Sequence, residues 1–152
     1  MGMYYEDFTL GQAFTMPTRT ITETDLVSFS ELSGDHNALH TDEEFAKTTA
    51  YGQRVVHGLL GVSVITGLLD RIGIFEGTAV ALLGIDGWRF RAPIFVGDTV
   101  TSRMVIEGKR PTRHPERGLV ERWFELDNQH GERLQEGHMP GLVLRRNPGG
   151  EG

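Results

Sequence analysis

The chain contains no cysteine. Disulfides, thiolate nucleophiles and thiolate zinc sites are thereby excluded together, and the composition suits a reducing compartment. No window approaches the roughly 20 consecutive apolar residues of a membrane span. The opening "MGMYYEDFTLGQAF" lacks the basic start and apolar run of a signal peptide. Glu6 stands where N-myristoylation needs Ser or Thr. Basic charge is scarce as well: the formal net charge of −6 argues against nucleic acid as a partner, although a local Arg cluster can still hold a small anion. The expectation is a cytoplasmic protein with no membrane or nucleic-acid partner.

What is present suits one globular domain. The 152 residues can bury a real core, and 38% apolar with 24% charged residues is ordinary for a folded chain. No fixed-period repeat is visible. Residues 1–146 read as a single domain, and "NPGGEG", Asn147 to Gly152, reads as a disordered tail.

A strand-like "AFTMPTRTIT" precedes "TETDLVSFSELSG". In the latter Thr22 and Asp25 predict a helix N-terminus, Leu26, Phe29 and Leu32 an apolar face, and Gly34 the stop. Thr41 with Glu44 predicts a second cap, opening a short helix through Phe45 and Ala46. Between Leu59 and Leu69 little is polar beyond Ser63 and Thr66, which predicts a central helix buried nearly all round. Gly61 and Gly67 cost helix propensity, so other backbone or a ligand is expected to come close there. The remainder reads as strands: "TAVALLGIDGWRF", "DTVTSRMVIEG", "GLVERWFELDN" and "ERLQEGHMPGLVLRR", joined by tight turns. Val100, Met104 and Ile106 share one face of the second, and Leu119 and Trp123 one face of the third. One apolar helix followed by long strands with tight connections predicts an α+β architecture, an antiparallel sheet curved round the helix.

Reactive residues gather in "SGDHNALHTDEEFA", Ser33 to Ala46. Asp35 and His40 lie on a linker between two helices, a rigidly held platform on which a carboxylate and an imidazole can share a water and move its protons. Asn37 can tie the linker's backbone or hold a ligand. Asp-x-Asn after Gly is also ordinary turn chemistry, and the spacing alone leaves both readings open. His36 and His40, with Asp35, Asp42 and His57 to hand, form a weak metal pattern, because Gly34 and Asn37 spoil the helix that a His-x-x-x-His pair needs; no metal is expected. His57-Gly58 opens the apolar helix, where free N–H groups carry the positive end of the helix dipole. Gly58 would let a ligand oxygen reach them, or would merely ease a tight turn. Ser63 and Thr66 bond back to their own helix in the plain reading, or orient Asp35 if the linker packs above them. His114, His130 and His138 read as surface residues.

Taken in order, "FSELSGDHNALHTDEEFAKTTAYGQRVVHGLL" resembles the signature of MaoC-like dehydratases, the R-specific (type 2) enoyl-CoA hydratases. The matching residues are Phe29, Ser33, Gly34, Asp35, Asn37, Leu39, His40, Asp42, Phe45, Ala46, Val56, His57 and Gly58. "FRAPIFVGDTV", Phe90 to Val100, resembles a second family segment, and the resemblance runs from Phe8 to Arg145. Where the family usually has proline this chain has Ala38, which could loosen the linker.

The resemblance implies a hot-dog fold and at least a homodimer, with the site near the interface. It implies reversible syn hydration of a trans-2-enoyl thioester. Asp35 would be the base on water, His40 its partner in orienting that water and relaying a proton, and Gly58 the oxyanion donor. Thr66 would support Asp35, with Ser63 the less favoured choice, and His57 would touch substrate. The thioester is carried on coenzyme A or acyl carrier protein, so coenzyme A is part of the substrate and no separate cofactor is implied. Arg89, Arg91, Lys109 and Arg113 are the cations available for its phosphates. Two rivals share the fold: a hot-dog thioesterase, and a non-catalytic acyl-binding subunit paired with a catalytic one.

Overall fold

The computed structural model describes residues 1–149. The last three residues of the expected tail, 150–152, lie outside the described residues.

Helix α1, Glu23–Ser33, begins as the sequence predicts. The Thr22 hydroxyl accepts from the Asp25 N–H at 3.1 Å, and the Asp25 carboxylate accepts from the Thr22 N–H at 2.9 Å. Burial works to raise the Asp25 carboxyl, but the Thr22 N–H and Arg19 outweigh it and hold the group below its usual range. Gly34, at φ +77°, ends the helix in the left-handed conformation that only glycine adopts freely. Leu26 is fully buried and Phe29 partly so, but Leu32 points into solvent at 85% exposure.

The linker after Gly34 is more ordered than its composition suggested. It forms one helical turn, α2, Ala38–Thr41, with Asn37 as its cap. The next short helix, α3, Glu43–Lys47, is capped by Asp42 and not by Thr41: the Asp42 carboxylate accepts the Phe45 N–H at 3.1 Å. Thr41 instead closes α2, its hydroxyl donating to the His36 and Asn37 carbonyls.

Helix α4, Gly58–Arg71, is the central helix. Leu60, Val62, Val64, Ile65 and Leu68 face the core. Leu59, Ser63, Thr66, Gly67 and Asp70 form an exposed stripe, so the helix is not buried all round; the sheet covers only one side of it. Gly61 is approached by the side chains of buried Gln135 and Ile94 and not by the backbone or ligand expected, whereas Gly67 has open space around it.

The sheet is antiparallel and eight-stranded. Strands β1, Ala13–Thr15, and β2, Arg19–Thr20, pair in turn with β5, Thr99–Pro111. Pro17, which lacks the N–H a ladder needs, stands between them. Strand β6, Arg117–Asp127, pairs with β5 on one side. On the other side it pairs with β7, Arg133–His138, and then β8, Gly141–Leu144. Strands β3, Ala79–Leu82, and β4, Asp86–Phe90, form the far edge against β8 and β7. Two stretches read as single strands are therefore each broken in two, near Gly84 and at Met139-Pro140. Val100, Met104 and Ile106 face the core as read. On β6 the helix-facing residues are Val120, Arg122, Phe124 and Leu126, while Trp123 lies half-buried on the opposite face. Its ring meets His138, which pairs with Glu107 at 2.6 Å, so His138 is not the unpartnered surface residue expected.

Candidate active site

The site is assembled where α2 crosses the start of α4. Ser33 anchors the approach: its hydroxyl donates to the Phe29 carbonyl and accepts the Asp35 N–H. Asp35 Oδ1 accepts the Asn37 N–H at 3.2 Å, and Asn37 Oδ1 accepts the Leu39 N–H at 3.0 Å. Asn37 thus serves the backbone, one of its two expected roles. These short bonds hold Asp35 and His40 on one side of the linker.

His40 is the more buried member of the pair, with its side chain 15% exposed against 52% for Asp35. Its Nδ1 lies 2.5 Å from the Val55 carbonyl oxygen. A carbonyl can only accept, so Nδ1 carries the proton and Nε2 of the neutral ring presents a lone pair. That Nε2 faces Asp35 Oδ2 at 3.9 Å. The separation is too long for a direct hydrogen bond and suits one water held by both.

His57 lies beneath, 3% exposed, its ring stacked on His40 with centroids 3.9 Å apart. Its Nε2 contacts the Asp35 carbonyl at 3.0 Å and the Ser30 hydroxyl at 3.2 Å. Expected to touch substrate, His57 is instead sealed in the core, where it fixes the backbone of Asp35 and the plane of His40. Its Nδ1 is buried with no hydrogen-bond partner.

Gly58 is the first residue of α4, and His57 supplies no side-chain cap. Among the described residues nothing accepts the Gly58 N–H. The carbonyl of Gly58 is held by Gln135 Nε2 at 3.0 Å, and Gln135 Oε1 accepts from the Trp88 indole at 3.2 Å. A Cβ on Gly58 would stand 2.7 Å from the Phe90 ring, so glycine allows the ring to close over the helix start. His40 and Gly58 line one cleft of about 320 Å³, with Tyr51, Phe90, Arg91 and Gln135 among its walls.

Ser63 and Thr66 do not join this group. Their hydroxyls donate to the Leu59 and Ser63 carbonyls, and neither is hydrogen-bonded to Asp35 within the chain. Of the cations considered, Arg91 lines the cleft and pairs with Glu136 at 3.0 Å. Lys109 is committed to the Tyr5 carbonyl and ring. Asp35, His40 and His57 bring one ligand atom each within 4.8 Å of the others, whereas His36 turns to Glu31. With His57 Nε2 and His40 Nδ1 already engaged, a carboxylate and one imidazole nitrogen are left facing outward. Those two are fewer than the three protein ligands of a catalytic zinc site.

Residues 7–123 match the model of the MaoC-like domain. The chain belongs to the MaoC-like dehydratase family. Among MaoC-like relatives, the (R)-specific enoyl-CoA hydratase of Rhodospirillum rubrum is 34% identical over 110 residues, 72% of this chain and 74% of that protein. Protein MaoC of Klebsiella aerogenes is 37% identical over 106 residues, 70% of this chain, but the match spans only 31% of that longer protein. In three dimensions the chain resembles the crystal structure of a monoamine oxidase regulatory protein from Archaeoglobus, with TM-score 0.88 and 32% identity over 95% of both chains. The hot-dog architecture implied by the motif is the one adopted here.

Gln135, Ser30 and the Val55 carbonyl were not foreseen. Gln135 sits on a strand where alternation gives no reason to bury an amide, and a backbone carbonyl carries no residue-type signal at all. Ala38 occupies the first position of α2, where proline is favoured and no backbone bond depends on the N–H. Ala38→Pro is expected to raise stability by about 0.4–1 kcal/mol through the unfolded chain, read by urea denaturation, with hydration rates unchanged.

Proposed function

We propose that this protein is an (R)-specific enoyl-CoA hydratase, adding water reversibly and in syn fashion to a trans-2-enoyl thioester. The observation that carries the reading is the 3.9 Å gap between Asp35 Oδ2 and His40 Nε2, with His40 and Gly58 lining one cleft. The name carried by the Rhodospirillum relative supports it.

One water between Asp35 and His40 gives a proton to Asp35 as its oxygen bonds to C3. His40 Nε2 orients that water, and the proton held by Asp35 is relayed through His40 Nε2 to C2 on the same face, which restores the carboxylate and the neutral imidazole. The pair ends as it began, and the net change is H and OH added across the double bond. The Gly58 N–H, reinforced by the α4 dipole, stabilises the negative charge that develops on the thioester oxygen. Val55 and His57 are positioning groups: the first sets the His40 tautomer, the second the height of the Asp35 backbone. Arg89 and Arg91, beside the cleft mouth, are suited to the phosphates of coenzyme A.

A homodimer fits the same reading. Strands β3 and β4 and the connection between them form a sheet edge on which Val80 and Leu82 of β3 and Leu83 and Ile85 of the connection are exposed, and an apolar edge calls for a pairing partner. The exposed α4 stripe bearing Ser63 and Thr66 would then face a second copy, which leaves Thr66 free to act on a partner's site.

Purified protein offered a series of trans-2-enoyl-CoA chain lengths should consume the conjugated enoyl absorbance. Release of free thiol from saturated acyl-CoA, with no hydration, would favour the thioesterase instead. Inactivity of the chain purified alone would favour the acyl-binding subunit.

A further inference from the structure

Gln135 is a buried polar side chain that the hydration steps above do not use. It is 1% exposed on β7, and its amide is engaged at both ends. Nε2 donates to the Gly58 carbonyl at 3.0 Å, and Oε1 accepts the Trp88 indole N–H at 3.2 Å. A carbonyl only accepts and an indole N–H only donates, so the amide sits one way round and bridges β4 to the start of α4. Glycines clear the path at both ends. A Cβ on Gly61 would collide with Nε2 where it now sits, and one on Gly137 would stand 2.5 Å from Trp88 Cε3.

What the bridge fixes is a single residue. The peptide before Gly58 is pinned by its His57 carbonyl, which accepts the Leu60 and Gly61 N–H groups at 3.0 and 3.4 Å. The peptide after it is pinned by Gln135. Gly58 joins the two planes with no side chain to limit its rotation, at a helix end that would otherwise fray. With both planes held, the Gly58 N–H keeps one direction, and among the described residues nothing accepts it. An oxyanion donor works by being aimed before charge develops, so a group that fixes its aim acts on the reaction without touching substrate. Phe90, two residues beyond Trp88 on β4, closes over the same turn. One strand therefore sets both the roof and the tilt of the helix start.

We propose that Gln135 is a positioning residue for the oxyanion donor: it holds the Gly58 N–H on the thioester oxygen, and Trp88 keeps its amide in orientation. The kinetic consequence rests on the hydratase reading. The link from Trp88 through Gln135 to Gly58 does not, and it can be read without turnover.

Gln135→Met keeps the bulk and removes both bonds. It should lower kcat for crotonyl-CoA hydration by about ten- to a hundredfold, the cost of a misaimed group. An amide that served stability alone would cost the same factor in any background. Here the loss should vanish when Gln135→Met is combined with Gly58→Pro, which has no N–H left to aim. Equal losses in the two backgrounds, or no loss in folded Gln135→Met, overturn the proposal. Should Gln135→Met fail to fold, Trp88→Phe takes its place in the same cycle, with a smaller loss that Gly58→Pro again removes; a loss that persists there overturns it. The second readout is emission. Trp88 and Trp123 are the two tryptophans, so Trp123→Phe leaves Trp88 to report alone. Butyryl-CoA should shift the emission of Trp123→Phe, and adding Gln135→Met should abolish the shift. An absent shift, or one that Gln135→Met leaves unchanged, counts against the proposal. If no enoyl thioester is hydrated at all, the hydratase reading falls while the emission measurement still decides this one.

Discussion

Asp35→Asn is expected to lower kcat for crotonyl-CoA hydration by about a hundred- to ten-thousandfold, the usual contribution of a placed acid–base group. The substitution is close to isosteric. Asparagine Oδ1 can still accept the Asn37 N–H, the bond that now shapes the turn, so far-UV circular dichroism and melting temperature should stay near wild type. What is lost is the basic oxygen facing His40. Loss of activity with an intact fold therefore reads chemistry, and KM should move far less than kcat. His40→Ala should fall by a comparable factor. Combined, the two changes should cost much less than the product of the single losses, because the pair holds one water. Near-wild-type rates in both single variants would remove Asp35 and His40 from the mechanism.

Gly58→Pro is expected to cost about a hundred- to a thousandfold in kcat, the loss typical of one oxyanion donor. This change deletes the N–H with little harm to the helix. Gly58 is the first residue of α4, where proline is favoured, and His57 at φ −54°, ψ 132° already has the extended conformation required before proline. The Phe90 ring would have to move for any side chain here, but it is 56% exposed and free to swing. Gly58→Ala is the control, since it displaces Phe90 in the same way and keeps the N–H. The difference in kcat between the two variants isolates the hydrogen bond. Equal rates in both would mean that the Gly58 N–H does not bind the thioester oxygen.

Much of this was legible in the sequence because it rests on local chemistry. Thr22 with Asp25, Gly34, and the apolar run beginning at Gly58 each announce a helix end through groups within one turn of it. The order Asp35, His40, His57, Gly58 carried the family. What stayed hidden depends on contacts across the fold. Nothing near His57 says that Ser30 and the Asp35 carbonyl meet its ring, which turns an expected substrate contact into a buried support. Arg122 looks like an outward residue of β6 until the strand's alternation is fixed by Val120 and Phe124 on the inner face. Thr66, which the resemblance set beside Asp35, within one chain only closes its own helix with its hydroxyl. The stripe it occupies is defined by the side the sheet leaves uncovered, which pattern along the helix alone did not reveal.

The stereochemistry of the product decides whether Asp35 and His40 hydrate an enoyl thioester. Wild-type protein is incubated with crotonyl-CoA, and the 3-hydroxybutyryl product is resolved by chiral chromatography after thioester cleavage. The R enantiomer alone is expected: attack by the Asp35–His40 water from one face of a chain held at Gly58 gives a single enantiomer, and the likeness to the (R)-specific hydratase makes it R. An S or racemic product, or free thiol with no hydroxyacyl product, would contradict it.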